Sequence, residues 1–308
     1  MINLFNLNKH VIDTSNYQNL LHDKIVINFE NVIKKYVGAK HAVSFNSATN
    51  AIFLSLLNKN VTVKVPSMIP PVVLNAIITS NNQYKFIDDT EWIGNSYILH
   101  KFKNYKIVDS AQKLEKYQFK KECDPNDLLI FSFYPTKPVG GCDGAMIVSD
   151  DEEKINYLRE MAFNGMSYAN NNWERVVKYP GYKMYMNSIQ ADIALRNFKL
   201  YNNKLKKLKK IRNLYNKKLG YTNSSNHLYR IEIDDRSGFI KYMKDNGVLC
   251  GIHYEAAHLN PVYALSKSKC PISEIKSTKT VSIPYHENLT EQEIYRIIEL
   301  ICQWNHIN

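Results

Sequence analysis

Along the first two-thirds of the chain, apolar positions fall into short runs that alternate between strand-like and helix-like spacing. FENVIKKYVG (residues 29 to 38) has helical spacing and ends on glycine, and HAVSF (41 to 45) reads as a strand. NSATNAIFLSLL predicts a helix entered through Asn46 or Ser47, VKVP a strand, PPVVLNAIITS a helix with proline in its first turn, and YKFID a strand. NYKIVDSA, LLIFSF (Leu128 to Phe133) and AMIVS (Ala145 to Ser149) are further strands, and DDEEKINYLREMAFNG is a helix with acids in its first turn. Such alternation implies an α/β fold, with a mostly parallel sheet covered by helices on both faces.

One long helical pattern runs from Asn187 to about Leu219. Its second half, KLKKLKKIRNLYNKK, is the most basic run in the chain, yet Leu205, Leu208, Ile211 or Arg212, and Tyr215 recur at helical spacing. The lysines therefore populate the other faces as solvated surface. Beyond it, LYRIEID (a strand), SGFIKYMKDNG (a helix stopped by Gly247) and LCGIHYE (a strand) precede a last helix whose Thr290 and Glu293 form a capping box. The pattern predicts a larger unit over residues 1–200 and a smaller α+β unit over 201–308.

Composition narrows the classes. With 308 residues and 44% hydrophobic side chains, the chain can bury one large core or two unequal ones. No apolar run is long enough for a membrane-spanning helix, and the start, MINLFNLNKHVID, lacks a signal-peptide pattern, so a cytoplasmic protein is expected. The five cysteines (Cys123, Cys142, Cys250, Cys270, Cys302) are scattered without metal-ligand spacing, and no metal site is expected. A net charge of +11 favours acidic partners, phosphorylated small molecules or nucleic acid. No nucleic-acid recognition motif accompanies that charge.

Four pieces carry candidate chemistry. NSATN (46 to 50) lies between a strand and a helix, where backbone N–H groups, Ser47 and Thr49 suit a phosphate or serve as an ordinary cap. Asp109 ends an apolar strand, where an acid needs a cation or several donors. Ser132 sits inside LLIFSF, and Lys137 follows it just before a glycine cluster, in FSFYPTKPVGGCDGAMIVSD. GGCDG does not have the G-x-G-x-x-G dinucleotide spacing, nor TKPVGG a Walker loop. Jointly, a phosphate cradle, an acid for a ring nitrogen, a hydroxyl and an amine are the equipment of a pyridoxal-phosphate site.

In order and wording these segments resemble the DegT/DnrJ/StrS family of nucleotide-sugar aminotransferases. VDSAQ resembles the family's E-D-A-A-Q, FSFYPTKPVGGCDGAMIVSD its Schiff-base lysine motif, and MAFNG its R-N-H-G. GYKMYMNSIQADIAL resembles G-Y-N-Y-R-M-x-x-I-Q-A-A-I, and GIHYEAAHLNPVY the H-Y…H-x-x-P segment. The resemblance implies an aspartate-aminotransferase-like fold (fold type I), with a mostly parallel seven-stranded sheet and a smaller C-terminal α+β domain. It implies Lys137 as the lysine bonded to pyridoxal 5'-phosphate and Asp109 as the partner of its ring nitrogen. Gln112 and Ala111 would lie against the ring, and Ser47, Ala48, Thr49 and Ser132 would hold the phosphate. His253, Tyr254 and His258 would line the substrate entrance rather than bind a metal.

The resemblance further implies a homodimer with shared active sites, the segment from Tyr182 to Asn187 reaching the neighbouring subunit. Its expected substrates are glutamate and a nucleotide-diphosphate keto sugar of the 4-keto-6-deoxy type. Lys137 argues against the dehydratase branch, which has histidine there. Several positions depart from the family. Pro70 stands where an aromatic residue usually stacks on the cofactor, Lys183 where an asparagine reaches the phosphate, and Tyr185 where an arginine stands. A lysine still offers a phosphate a point charge, whereas a tyrosine cannot replace a guanidinium. The region between Asp88 and Asp109 is short, with SYILH as its strand and no counterpart of the family's crossover helix, and a second shortening falls at Tyr221 to His227. The alternative reading is a non-catalytic relative with a structural or regulatory role.

Overall fold

A computed structural model of the chain describes residues 1–21, 23–168, 175–264 and 268–307. Helix α1 (Lys24–Val37) starts upstream of its expected position because the Asp23 side chain caps it, accepting from the Ile25 N–H. It stops at Gly38, whose φ of 84° is the left-handed conformation glycine tolerates. Strand β1 (His41–Phe45), helix α2 (Ala48–Leu56, capped by Ser47), strand β2 (Thr62–Pro66), helix α3 (Pro71–Thr79) and strand β3 (Gln83–Ile87) follow as the periodicity predicts.

Next come β4 (Tyr97–Lys101), β5 (Lys106–Asp109), the short α4 (Gln118–Glu122), β6 (Leu128–Ser132), β7 (Ala145–Ser149) and α5 (Glu152–Ala162). The hydrogen-bonded central sheet has the order β1-β7-β6-β5-β4, and parallel β2 and β3 pair beside β4. Here the expectation of a mostly parallel seven-stranded sheet is corrected to a mixed one. Only β5 and β6 pair in parallel within the five strands; β1–β7, β6–β7 and β4–β5 are antiparallel. Loop length explains β4. Parallel neighbours need a crossover of a dozen or more residues, whereas residues 102–105 alone join β4 to β5, closed by Phe102 N–H donating to the Tyr105 carbonyl at 2.8 Å. The short connection makes the pair a hairpin, which fixes β4 antiparallel to β5.

Both faces of the sheet are covered, as side-chain alternation requires. Val43, Ile107, Ile130 and Ile147 pack on one face with α2, α3 and α5. Val108, Leu129, Phe131 and Met146 pack on the other with Phe29 and Ile33 of α1 and with Ala191, Ala194 and Tyr201 of the long helix α6. Between α5 and α6 lies a hairpin that the periodicity did not mark, β8 (Met166–Tyr168) with β9 (Arg175–Val177). Helix α6 (Ser188–Leu219) opens on a capping box of Asn187 and Gln190 and buries Leu208, Ile211 and Tyr215 while its lysines face outward.

That second half of α6 roofs a third core, with β10 (Tyr229–Glu232), α7 (Arg236–Asp245), β11 (Thr280–Ile283) and α9 (Glu291–Ile307), while α8 (Pro271–Lys279) leads into β11. The expected strand LCGIHYE does not form. Val248 and Gly251 make isolated bridges to Ile2 and Ser282, and β10 pairs with β11 instead. Gly251 is crowded, since a Cβ there would lie 2.5 Å from Leu4 Cδ2. Among the described residues no helix is long and apolar enough to cross a membrane.

Candidate active site

Strand β6 is buried along its length and delivers the chain at Ser132 to a turn that reverses into β7. Gly141 N–H donates to the Phe133 carbonyl at 2.7 Å, Phe133 N–H to the Gly144 carbonyl at 2.8 Å, and Lys137 N–H to the Tyr134 carbonyl at 2.9 Å. The fold-back is so tight that a Cβ on Gly140 would lie 2.1 Å from the Pro135 carbonyl oxygen. The glycine cluster therefore closes the loop that presents Lys137 to a cavity of about 400 Å³. Burial pushes the Lys137 amine down to about 8, against the opposing pull of Asp109.

Asp109 enters the cavity from the end of β5. Its Oδ1 accepts from the Ala111 N–H at 2.8 Å and its Oδ2 from the Tyr97 hydroxyl at 3.0 Å. Burial nevertheless holds the carboxyl above its ordinary range, with Ala111, Tyr97 and Lys137 each pulling it down. Gln112 is fixed at both ends of its amide: Oε1 accepts from Gly94 N–H at 2.7 Å, and Nε2 donates to the Tyr254 hydroxyl at 3.0 Å.

The N-terminus of α2 forms another wall. Ser47, whose Oγ accepts from Asn50 N–H at 3.2 Å, lies beside Ala48 and Thr49 there. Ser132 and Ala111 also line the cavity, as do His253 and Tyr254. His253 Nδ1 meets Ser282 Oγ at 2.8 Å, and burial, with Lys137 and Arg230 nearby, pushes its imidazole down to about 4, so it is neutral around pH 7.

The other expected site residues lie elsewhere. His258 is buried away from the cavity, its Nδ1 2.6 Å from Ser67 Oγ and its Nε2 3.1 Å from Glu274 Oε1. Lys183 bridges Phe163, and Tyr185 bridges Phe45 and lines a separate groove of about 600 Å³ with Phe163 and Met186. Among the described residues no group of three or more His, Cys, Asp or Glu could hold a metal ion.

Sequence reasoning missed Trp92, Tyr97 and His227. Trp92 and His227 line the cavity, and Tyr97 holds Asp109. The signal was the two shortened segments themselves, which carry these rings. His227 stacks on Phe5, and burial and Lys137 push its imidazole well below its ordinary range.

The sequence profile of the DegT/DnrJ/EryC1/StrS aminotransferase family matches residues 6–93 and 97–302. A UDP-4-amino-4,6-dideoxy-N-acetyl-beta-L-altrosamine transaminase of Campylobacter jejuni is 24% identical over 328 residues, covering 86% of this chain and 86% of that protein. Helicobacter pylori PseC, an aminotransferase involved in the biosynthesis of pseudoaminic acid, superposes with a TM-score of 0.81 at 18% identity, covering 99% of this chain and 100% of PseC. Spr1654 of Streptococcus pneumoniae, a putative sugar aminotransferase solved in its PMP form, superposes with a TM-score of 0.80 at 17% identity over 98% and 97% of the two chains. The fold is that of these aminotransferases, fold type I.

Proposed function

The chain belongs to the DegT/DnrJ/EryC1/StrS aminotransferase family, and from that premise we propose that it moves an amino group from an amino acid, glutamate, to the keto group of a nucleotide-linked 4-keto-6-deoxy sugar. The observation that carries this reading is the convergence of the Lys137 amine and the Asp109 carboxyl on one cavity. The donor set suits pyridoxal 5'-phosphate. Asp109 answers a ring nitrogen, the N-terminus of α2 with Ser47, Thr49 and Ser132 answers a phosphate, and Trp92 brings a buried N–H that no group among the described residues accepts. When bound, pyridoxal phosphate supplies an aldehyde for an amine and a ring that withdraws electrons from the bond being broken.

The chain's own groups supply the rest. Because the Lys137 amine is pushed down to about 8, a useful fraction is neutral near pH 7 and can take a proton from the donor carbon and return it. Asp109, held by Tyr97 and Ala111, would pair with the ring nitrogen of the bound cofactor and keep a proton there. Gln112 is immobilised by Gly94 and Tyr254, so its amide is preorganised beside the ring. His253, neutral at physiological pH, lines the entrance as a hydrogen-bonding group and not as a cation. We place Lys183 and Tyr185, which lie off their own cavity, at the partner's site in a cytoplasmic homodimer.

Single-turnover assays test the reading. Protein loaded with pyridoxal phosphate should convert glutamate to 2-oxoglutarate once per site, and a second turnover should require a keto nucleotide sugar. Absence of the first half-reaction with any amino acid would favour the non-catalytic relative.

A further inference from the structure

Trp92 is 6% exposed and lines the cavity, yet its indole Nε1 is buried without a hydrogen-bond partner among the described residues. Buried polar groups are nearly always paired, and an orphan in a cavity wall marks a place where a ligand supplies the missing acceptor. Neither nearby hydroxyl accepts from it. Tyr97, whose ring centroid is 4.8 Å from that of Trp92, donates to Asp109, and Tyr254, lying parallel to the indole at 6.1 Å, accepts from Gln112.

The segment that carries Trp92 is pinned from several sides. Asp88 accepts from the N–H groups of Ile272 and Ser273, Glu91 pairs with Lys276 at 2.8 Å, and Asn95 N–H donates to the Trp92 carbonyl at 2.8 Å. Gly94, at a φ of +90°, then reaches Gln112, and a Cβ there would strike Ser225 at 2.6 Å. The indole is thus held rigidly beside the Asp109 and Gln112 corner. Pro70, which lines the same cavity, has no aromatic face to offer.

We propose that Trp92 is a ligand-binding residue, forming the aromatic wall of the cavity and donating its indole N–H to an anionic oxygen of the bound ligand. This rests on the proposed function for the nature of the ligand. The acceptor is either an oxygen on pyridoxal phosphate or a carboxylate of the amino acid bound with it, and the chemistry of the contact is the same.

The test compares Trp92→Phe, which keeps a ring and removes the donor, with Trp92→Leu, which removes both. Trp92→Phe trims a buried ring that packs on Tyr97 and Tyr254, so the cofactor-free variant should melt somewhat below wild type, and each variant's binding is compared with its own unliganded state. Pyridoxal phosphate and a dicarboxylate, succinate, are then titrated by absorbance and by thermal shift. A charge-assisted hydrogen bond predicts binding at least about tenfold weaker in Trp92→Phe and weaker still in Trp92→Leu. If the gap appears with pyridoxal phosphate alone, the acceptor belongs to the cofactor; if only when succinate is added, it belongs to the substrate carboxylate. Equal affinities in all three proteins overturn the proposal and leave the aminotransferase reading standing. Failure of the wild type to bind pyridoxal phosphate removes that reading, and this inference with it.

Discussion

Tyr97 and Asp109 face each other in the antiparallel register of β4 and β5, and the Tyr97 hydroxyl donates to Asp109 Oδ2 at 3.0 Å. Residues 102–105 close β4 and β5 into a hairpin. Its register alone delivers a phenol to the acid at the bottom of the cavity.

Replacing Tyr97 with phenylalanine keeps the ring against Trp92 and removes one donor from a buried carboxylate. We expect ~1 to 3 kcal/mol of lost stability, since the oxygen left behind has no substitute. The hydroxyl pulls the Asp109 carboxyl down, so its loss raises the carboxyl further. The acid limb of kcat against pH should move to higher pH. An unchanged limb would mean that Asp109 does not control it.

Lys137→Met in the cofactor-free protein should be more stable than wild type at pH 7. The Lys137 amine falls from 10.5 to about 8 on folding, so the unfolded chain binds more protons between those values. Wild-type stability therefore rises as pH climbs through that window and the burial penalty disappears above it. Urea unfolding should give a gap of roughly 3 kcal/mol at pH 7 that closes by pH 11. A gap independent of pH would contradict this origin.

Acid should destabilise the protein for a related reason. His253 drops to about 4 in the fold and His227 drops well below its ordinary 6.5, so the unfolded chain takes up protons that the folded one refuses. Stability should rise with pH from about 4 to about 6.5, and be lost as pH falls through that range. His253→Gln should make the slope shallower; an identical slope would assign the acid limb to other groups.

Gly140→Ala tests the loop that holds Lys137. Its Cβ would meet the Pro135 carbonyl oxygen at 2.1 Å, a backbone contact that no rotamer change relieves. The loop should open at a cost of about 2 kcal/mol, and pyridoxal phosphate binding should weaken by at least about tenfold. Wild-type binding in this variant would show that the fold-back is not what presents the lysine.

Much of this fold was legible because local signals agreed with tertiary packing. Ser47, one of two candidates, and Thr290 cap the helices they were expected to cap, the long helix begins beside Asn187 as its pattern predicts, and the near-continuous apolar runs LLIFS and AMIVS match a sheet covered on both faces. Strand direction was not legible. SYILH looks the same parallel or antiparallel, and only the short connection at 102–105 decides it. LCGIHYE has strand composition, but long-range competition from β11, distant in sequence, takes the edge of β10. At the site, Lys137, Asp109, Gln112 and Ser132 stood in motifs that could be read in order. Trp92, Tyr97 and His227 sit in the two shortened segments, where no motif remained, and only their spatial convergence identifies them. His258 was misplaced for the opposite reason, since a motif position does not reveal that Ser67 and Glu274 occupy both ring nitrogens.

The central claim is that Lys137 carries pyridoxal phosphate and an amino acid discharges it. Its most direct test is the visible absorption spectrum of the purified protein with pyridoxal phosphate, before and after glutamate, beside Lys137→Ala. The account predicts a visible band of lysine-bound cofactor in the wild type that glutamate abolishes as the pyridoxamine form appears, and neither event in the variant. A wild type that binds no pyridoxal phosphate, or whose band survives every amino acid offered, would contradict it.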